Sequence, residues 1–134
     1  FGSAVHEGAI CIIMEYIGGG SLTHLLQLFG SLPDASGRRY VMDVLRGLKA
    51  LHALKIIHRD VCPNNVLVSI DGTCKLSDFG CSQSLHRMNR SSVAGTPQYM
   101  APEACRGEST MASDIWSVGI LTHVLLTGYL PFSE

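Results

Sequence analysis

The chain has 134 residues, of which 46% are hydrophobic, and its formal net charge at pH 7 is -1. This apolar content is sufficient for one buried core, so it excludes a disordered chain. A net charge close to zero provides no basic surface, which excludes nucleic acid as an expected partner.

The first predicted element is a buried strand at residues 9–16. This short, mostly β-branched apolar run is followed by three glycines at residues 18–20, which is typical of a strand that ends in a flexible connection. Ser21 is a suitable N-cap for a helix that runs through Phe29. Gly30 is a suitable stop for that helix.

The middle of the chain is predicted to form one long helix and three short strands. Pro33 and Asp34 open the helix, in which apolar residues recur at three- and four-residue steps between positions 40 and 54, as on a core-facing surface. The predicted strands are Ile56–Ile57, Val66–Val68 and Cys74–Leu76. Asp71 with Gly72 is a turn signal between the last two strands.

The last third begins with a polar segment, residues 82–92, that has no periodicity. We expect a mobile loop there. Residues 114–126 return to helical spacing, but Ser117, Gly119 and His123 interrupt their apolar pattern. The stretch is shorter than the roughly 20 apolar residues of a membrane-spanning helix, so we predict a buried helix and no membrane span.

The cysteine content indicates an intracellular protein. The five cysteines are an odd number, and no two of them have the CxxC spacing of a metal or redox motif. We therefore expect reduced thiols and a cytoplasmic location.

Four short motifs occur in a fixed order in the loops. They are HRD at residues 58–60, Asn65 five positions after the aspartate, DFG at residues 78–80 and APE at residues 101–103. Each charged residue taken alone has an ordinary interpretation as a solvated or turn-capping loop residue. The ordered set, however, resembles the catalytic-loop, metal-loop and activation-segment signatures of protein kinases.

The resemblance covers essentially the whole chain, so residues 1–134 are interpreted as one partial protein kinase domain. It implies an α+β fold, mainly the helical C-lobe with remnant strands of the N-lobe. The GTPQY segment at residues 95–99 favours the serine/threonine branch. The MEYIGGGSL run at residues 14–22 is similar to the kinases at the kinase-kinase-kinase level of the mitogen-activated cascade, and residues 114–132 resemble calmodulin-dependent kinases about as well.

The resemblance also implies a set of site residues for transfer of the ATP γ-phosphoryl group to Ser or Thr of a protein substrate. Asp60 would accept or orient the proton of the substrate hydroxyl, and Asn65 and Asp78 would bind Mg²⁺. Phe79 would pack inward and set whether Asp78 faces the metal. The hinge would meet adenine through the backbone of Glu15 and Ile17. Met14 would be the gatekeeper behind the adenine, and Leu67 would pack under the base, although both fit an ordinary core position as well.

Regulation by phosphorylation is a further implication. Arg59 lies next to the catalytic aspartate and could pair with a phosphate carried by the loop after DFG. Ser92 occupies the position where many kinases carry that phosphate, and Thr96 is a second candidate in the same loop. The partner would be an upstream activating kinase, although a serine-rich loop without any modification is the alternative.

Position 62 departs from the family pattern. Serine/threonine kinases usually have a lysine two residues after the catalytic aspartate, where it neutralises the γ-phosphate, and this chain has Cys62. A thiol provides no positive charge at neutral pH, and the loss is worth roughly 2–4 kcal/mol of transition-state stabilisation. The expectation is a slowed kinase, with a pseudokinase or scaffold module and an inactive fragment as alternatives.

We also expect that the chain is truncated at both ends. The glycine-rich phosphate loop and the strand lysine of the family would precede Phe1, and the remaining large-lobe helices would follow Glu134. One of those helices supplies, in the family, the arginine that pairs with the APE glutamate, so Glu103 is expected to lack that partner. The isolated chain is therefore expected to be inactive and poorly soluble or only partly folded.

Overall fold

The computed structural model describes residues 2–85 and 93–132 of the chain. In chain order its helices and strands are β1 (Gly2–His6), β2 (Ala9–Ile13), α1 (Leu22–Phe29), α2 (Asp34–Ala53), β3 (Ile56–Ile57), β4 (Val66–Val68), β5 (Cys74–Leu76), β6 (Gln83–Ser84) and α3 (Met111–Thr127). Within these ranges the strands form antiparallel pairs, β1 with β2, β3 with β6 and β4 with β5. The fold is α+β, as the sequence predicts.

The hydrophobic core lies where α2 packs against α3 and the β4–β5 hairpin. Val44 and Leu48 of α2 are each 1% exposed, and Leu121 and Leu125 of α3 are fully buried among them. The two helices and the hairpin therefore form the rigid body that carries the loops between them.

Both predicted ends of α1 are confirmed. The Ser21 hydroxyl accepts a hydrogen bond from the backbone N–H of His24 at 3.4 Å, which satisfies one of the free donors of the first turn. Gly30 follows Phe29 with a φ of 73° and donates its N–H to the carbonyl of Leu26. The long helix α2 likewise begins at Asp34, directly after Pro33.

The third helix begins three residues before its predicted start. The side chain of Thr110 accepts from the N–H of Ser113, and the hydroxyl of Ser113 accepts from the N–H of Thr110, a reciprocal capping box. The prediction of residues 114–126 relied on apolar spacing and did not use this polar signal. None of the helices in the described part of the chain is long and apolar enough to cross a membrane.

The prediction of a buried strand at residues 9–16 was wrong in two respects. The strand β2 ends at Ile13, and every residue of β1 and β2 is exposed; Ile10 and Ile12, for example, are 80% and 72% exposed. A two-stranded sheet leaves both of its faces open unless another layer covers them, and within residues 2–85 and 93–132 no third strand joins this pair.

The prediction of an irregular loop at residues 82–92 was also incomplete. Gln83 and Ser84 form β6, which pairs with Ile57 and Ile56 of β3. Pairing with β6 uses backbone groups that β3 exposes on its edge, and those groups carry no side-chain signal in the sequence. Residues 86–92 lie outside the described part of the chain.

Candidate active site

The predicted catalytic aspartate, Asp60, lies in the loop between β3 and β4, and its carboxylate is held from two sides. One oxygen, Oδ2, accepts a hydrogen bond from the amide nitrogen of Asn65 at 2.7 Å. The other, Oδ1, accepts from the backbone N–H of Thr96 at 2.8 Å and from its hydroxyl at 2.7 Å. Three donors on one carboxylate fix its rotamer.

Asn65 is positioned by the turn that precedes β4. It ends the 3₁₀ turn Pro63–Asn65 and donates its backbone N–H to the carbonyl of Cys62 at 3.0 Å. Its side chain is buried and also donates to the backbone carbonyl of Asp60 at 3.0 Å. The amide nitrogen is therefore committed to Asp60, which leaves the amide oxygen as the available metal-binding atom.

The loop that carries Asp60 is anchored from beneath by Asp114, a residue of α3 that is 1% exposed. Its carboxylate accepts from the backbone N–H groups of His58 at 3.0 Å and Arg59 at 2.9 Å, and it contacts the ring Nε2 of His52 at 2.8 Å. Arg59 has a φ of 71°, which side-chain-bearing residues rarely adopt. Asp114 stabilises this backbone conformation, so α3 determines the direction in which Asp60 points.

Gly95 permits the close approach that brings Thr96 onto Asp60. Its φ is 120°, and a Cβ at this position would lie 2.3 Å from the backbone carbonyl oxygen of Arg59. Only glycine fits this contact without movement of the chain. The family resemblance includes Gly95 and Thr96 in the GTPQY segment and gives Thr96 as a candidate for phosphorylation, but the sequence alone does not indicate that they lie next to Asp60.

Cys62 lies behind the same cluster and is 3% exposed. The hydroxyl of Thr96 lies 3.6 Å from its sulfur. Burial raises the pKa of the Cys62 thiol, while the hydrogen bond with Thr96 partly opposes the shift. The side chain is therefore a neutral thiol at pH 7, and it contributes no cation to the site.

His58 connects the Asp60 loop to the segment that leads to Asp78. Its Nδ1 accepts from the backbone N–H of Asp60 at 3.3 Å, and its Nε2 donates to the carbonyl of Ser77 at 3.2 Å. One acceptor and one donor define a neutral imidazole protonated on Nε2. Burial lowers the pKa of His58, and the carboxylates of Asp114, Asp60 and Asp78 act in the opposite direction.

Asp78 follows β5 and faces solvent. Its φ is 56°, and its Oδ1 accepts from the N–H of Gly80 at 3.1 Å. The preceding residue, Ser77, donates its N–H to the carbonyl of Asn65 at 2.9 Å, which ties the two predicted metal ligands to neighbouring backbone positions.

Phe79 is less buried than its expected inward packing requires. Its ring contacts the ring of His58 with a centroid separation of 5.3 Å, but 52% of the residue remains exposed. The contact with the His58 ring, which is tilted by 58° to the Phe79 ring, therefore covers only part of the residue. The prediction that Phe79 packs inward was only partly correct.

A cleft of about 780 Å³ separates the β2 end of the chain from the β4–β5 hairpin. The residues along one wall are Ile12, Met14, Glu15 and Ile17, and those along the other are Leu67, Lys75, Leu76, Ser77, Asp78, Phe79 and Gly80. The structure thus brings together the predicted hinge residues, the residue predicted to lie under the base and one of the predicted metal ligands. The volume is within the usual range for small-molecule sites.

The two walls of the cleft are joined by an ion pair. The Nζ of Lys75 lies 2.6 and 2.8 Å from the two carboxylate oxygens of Glu15. Met14 lies next to this pair and is 73% exposed, so its side chain is not yet enclosed as a gatekeeper position would be. No sequence pattern indicates this ion pair, because 60 positions separate its two residues.

The predicted regulatory residues have different surroundings. Arg59 donates from Nη1 to the side-chain oxygen of Gln83 at 2.6 Å, and Thr96 contacts Asp60 as described above. Ser92 lies outside the described residues. Glu103 accepts from the hydroxyl of Ser113 at 2.7 Å, which lowers the pKa of its carboxyl group.

Comparison with known proteins gives the family. The family described as "Protein kinase domain" matches residues 1–134. The chain belongs to the protein kinase domain family. This membership confirms the predicted fold class and the resemblance on which the site residues were chosen.

Three relatives illustrate the range of proteins to which this kinase domain is similar. It is 42% identical over 134 residues to cell division control protein 7 of Schizosaccharomyces pombe, across 99% of this chain and 13% of that protein. It is 40% identical over 131 residues to putative CBL-interacting protein kinase 13 of Oryza sativa subsp. japonica, across 93% and 25%. It is 38% identical over 136 residues to mitogen-activated protein kinase kinase kinase A of Dictyostelium discoideum, across 99% and 14%.

The kinase domain thus spans between 13% and 25% of the length of these three relatives. The predicted similarity to the mitogen-activated kinase-kinase-kinase group is confirmed by the third of them.

Proposed function

We propose that the protein containing this chain transfers the γ-phosphoryl group of ATP to serine or threonine hydroxyls of protein substrates. The observation that carries the proposal is the carboxylate of Asp60, which Asn65 and Thr96 hold in one orientation by three hydrogen bonds. Phosphoryl transfer requires mainly positioning and charge neutralisation, and a carboxylate held in one orientation supplies the first of these.

Asp60 is the residue that orients the substrate hydroxyl. Oδ1 accepts two hydrogen bonds from Thr96, whereas Oδ2 accepts one from Asn65 and retains lone-pair capacity for one further donor. A serine or threonine hydroxyl that donates to this carboxylate has its oxygen directed towards the phosphoryl group. Because three donors already restrain the carboxylate, little reorganisation is required when the substrate arrives.

Mg²⁺ fits the oxygen atoms that Asn65 and Asp78 offer. Asn65 offers its amide oxygen, because the amide nitrogen is used by Asp60, and Asp78 offers an exposed carboxylate. Both are hard oxygen donors of the type that Mg²⁺ prefers, with the remaining positions left for water and phosphate oxygens. When bound, the ion would neutralise phosphate charge, and Asn65 and Asp78 would hold it there.

ATP is the proposed occupant of the cleft. The adenine would meet the backbone carbonyl of Glu15 and the backbone amide of Ile17, with Met14 behind it and Leu67 below it. In support of this arrangement, all four residues line the same cleft as Asp78. The apolar side chains of Met14, Ile17 and Leu67 would shield the base from water.

The neutral thiol of Cys62 makes a slow kinase the expected form of this activity. What supports catalysis over the pseudokinase alternative is the retention of Asp60, Asn65 and Asp78 with their hydrogen bonds, together with relatives that are named as kinases. The second candidate, a pseudokinase that binds nucleotide, rests on Cys62 alone.

Regulation, partners and location complete the proposal. Arg59 would pair with a phosphate on the following loop, with Ser92 or Thr96 as the phosphorylated residue and an upstream kinase as the partner. The hydrogen bond that Arg59 makes with Gln83 would then be exchanged for charge-assisted bonds to the phosphate. A cytoplasmic location is supported by the five cysteines, all of which are free.

The test is phosphoryl transfer by the full-length protein, with γ-labelled ATP, Mg²⁺ and a panel of serine and threonine peptides. Asp60→Asn should lower kcat by at least about 100-fold, and Asp78→Asn should weaken the dependence of the rate on Mg²⁺. Asp34→Asn, which changes an exposed carboxylate on α2, is the matched control and should leave the rate unchanged. A wild-type protein that binds ATP and transfers no phosphate would favour the pseudokinase alternative.

A further inference from the structure

The ion pair between Glu15 and Lys75 is the one charged contact seen across the nucleotide cleft in the described residues. The Nζ of Lys75 contacts both carboxylate oxygens of Glu15, at 2.6 and 2.8 Å. The side chain of Glu15 is 53% exposed and that of Lys75 is 49% exposed, so the pair lies at the rim of the cleft and remains hydrated.

The two residues belong to parts of the molecule that differ in secondary structure and in the number of their hydrogen bonds. Lys75 lies in β5 and is paired with Leu67 of β4, in the hairpin that packs against α2. Glu15 lies in residues 14–19, which form neither helix nor strand. In the described part of the chain, the hydrogen bonds of these six residues are those that Glu15 makes with Lys75.

The pair consequently helps to position the hinge backbone relative to the floor of the cleft, together with the close approach of Gly19 to the backbone carbonyl of Val68. The next connection along the chain is at Gly20, whose carbonyl accepts from the N–H of Val68 at 2.8 Å. Between β2 and Gly20, only the pair with Lys75 ties this segment to the β4–β5 hairpin through a polar contact within the described residues. The backbone groups of Glu15 and Ile17 that would meet adenine are within that span.

We propose that Glu15 and Lys75 form a positioning pair, which holds the hinge backbone at a fixed distance from Leu67 and thereby sets the affinity for ATP. The proposal rests on the proposed function, since it assigns these residues a role in binding the same nucleotide. Neither side chain takes part in phosphoryl transfer. Loss of the pair should therefore affect nucleotide binding and leave the chemical step unchanged.

The expected effect is modest because the pair is half exposed. Exposed ion pairs contribute little to stability and are screened by salt, so we expect a two- to five-fold weaker Kd for ATP when either charge is removed. At 1.4 kcal/mol for each factor of ten, this corresponds to about 0.4–1 kcal/mol. The difference should diminish as the ionic strength rises.

The experiment compares the full-length wild type with Glu15→Gln, Lys75→Met and the double exchange Glu15→Lys with Lys75→Glu. Binding of ATP with Mg²⁺ is measured by calorimetry at low and high salt, and kcat and KM are measured with a peptide substrate. The single variants should raise Kd and KM for ATP two- to five-fold with kcat unchanged, and the double exchange should restore both. The matched control is Arg38→Met, which breaks an exposed ion pair on α2 far along the chain from the cleft and should change neither constant.

Amide hydrogen exchange in the absence of nucleotide separates this proposal from the proposed function. Residues 14–19 should exchange faster in both single variants and return to the wild-type rate in the double exchange. Unchanged exchange and unchanged Kd in the single variants would overturn the proposal, as would tighter ATP binding in them, which would mean that the pair restrains the hinge in an unproductive position. A wild type that binds no ATP would instead refute the proposed function, whatever the exchange rates.

Discussion

Replacing Gly95 by alanine should separate Thr96 from the catalytic carboxylate. The added Cβ would lie 2.3 Å from the carbonyl oxygen of Arg59, and φ at this position is 120°. A contact this short is strongly repulsive, so the chain at residues 95–96 has to move by about 1 Å before it becomes an ordinary contact. The strained φ adds a cost of about 1–3 kcal/mol to folding.

The same displacement breaks the hydrogen bonds to Asp60. The N–H and the hydroxyl of Thr96 lie 2.8 and 2.7 Å from its Oδ1, and a lengthening of about 1 Å takes both out of hydrogen-bond range. Asp60 would then be held by Asn65 alone. A misplacement of about 1 Å in a catalytic group can cost about 100-fold in rate, so kcat should fall by about 100-fold, or about 2.7 kcal/mol.

Steady-state phosphoryl transfer by the full-length protein measures this effect, with circular dichroism to verify folding. Gly30→Ala is the matched control, because Gly30 also has a positive φ, 73°, but a Cβ there meets nothing within 4 Å. The control should lose stability and keep kcat. A folded Gly95→Ala protein with kcat within about threefold of the wild type would refute the argument that this glycine positions Asp60.

Three further predictions concern charge, pH and the core. Cys62→Lys should raise kcat at least about tenfold by supplying the missing cation; turnover no higher than that of the wild type would mean that the thiol is not the limiting feature. Because burial lowers the pKa of His58, the unfolded state binds more protons below the usual His value of about 6.5. The free energy of unfolding should therefore decrease as the pH falls from about 7.5 to 5.5, less steeply in His58→Gln, and equal slopes in denaturant titrations would contradict this. Leu121→Ala should cost about 2–5 kcal/mol of stability, because Leu121 is fully buried between the helices, whereas exposed Leu28 should tolerate alanine within about 0.5 kcal/mol in the same titration.

Local elements of this kinase domain could be predicted from the sequence because their signals are local. Ser21 and Gly30 mark both ends of α1, and the Asp71–Gly72 turn separates β4 from β5, at the positions that the residue types indicate. The fold class and the choice of Asp60, Asn65 and Asp78 as site residues came from the family resemblance, which four ordered motifs carried. The roles of these site residues stay predictions.

The contacts that assemble the site could be found only in the tertiary structure. Thr96 reaches Asp60 from 36 positions away, and Asp114 holds the backbone of His58 from 56 positions away. No periodicity or turn signal connects residues so far apart. The exposure of β2 was likewise missed, because an apolar β-branched run has the same pattern whether or not another layer covers it.

The sequence by itself therefore predicted α1, α2 and the short strands β3, β4 and β5, and the family resemblance predicted which side chains carry the chemistry. The tertiary structure decided how those side chains are held, through Asp114 beneath the loop, Thr96 against the carboxylate and Lys75 across the cleft. The physical reason is that capping, turn formation and apolar spacing depend on neighbouring residues, whereas these polar contacts depend on how α3, β5 and the loops pack around one core.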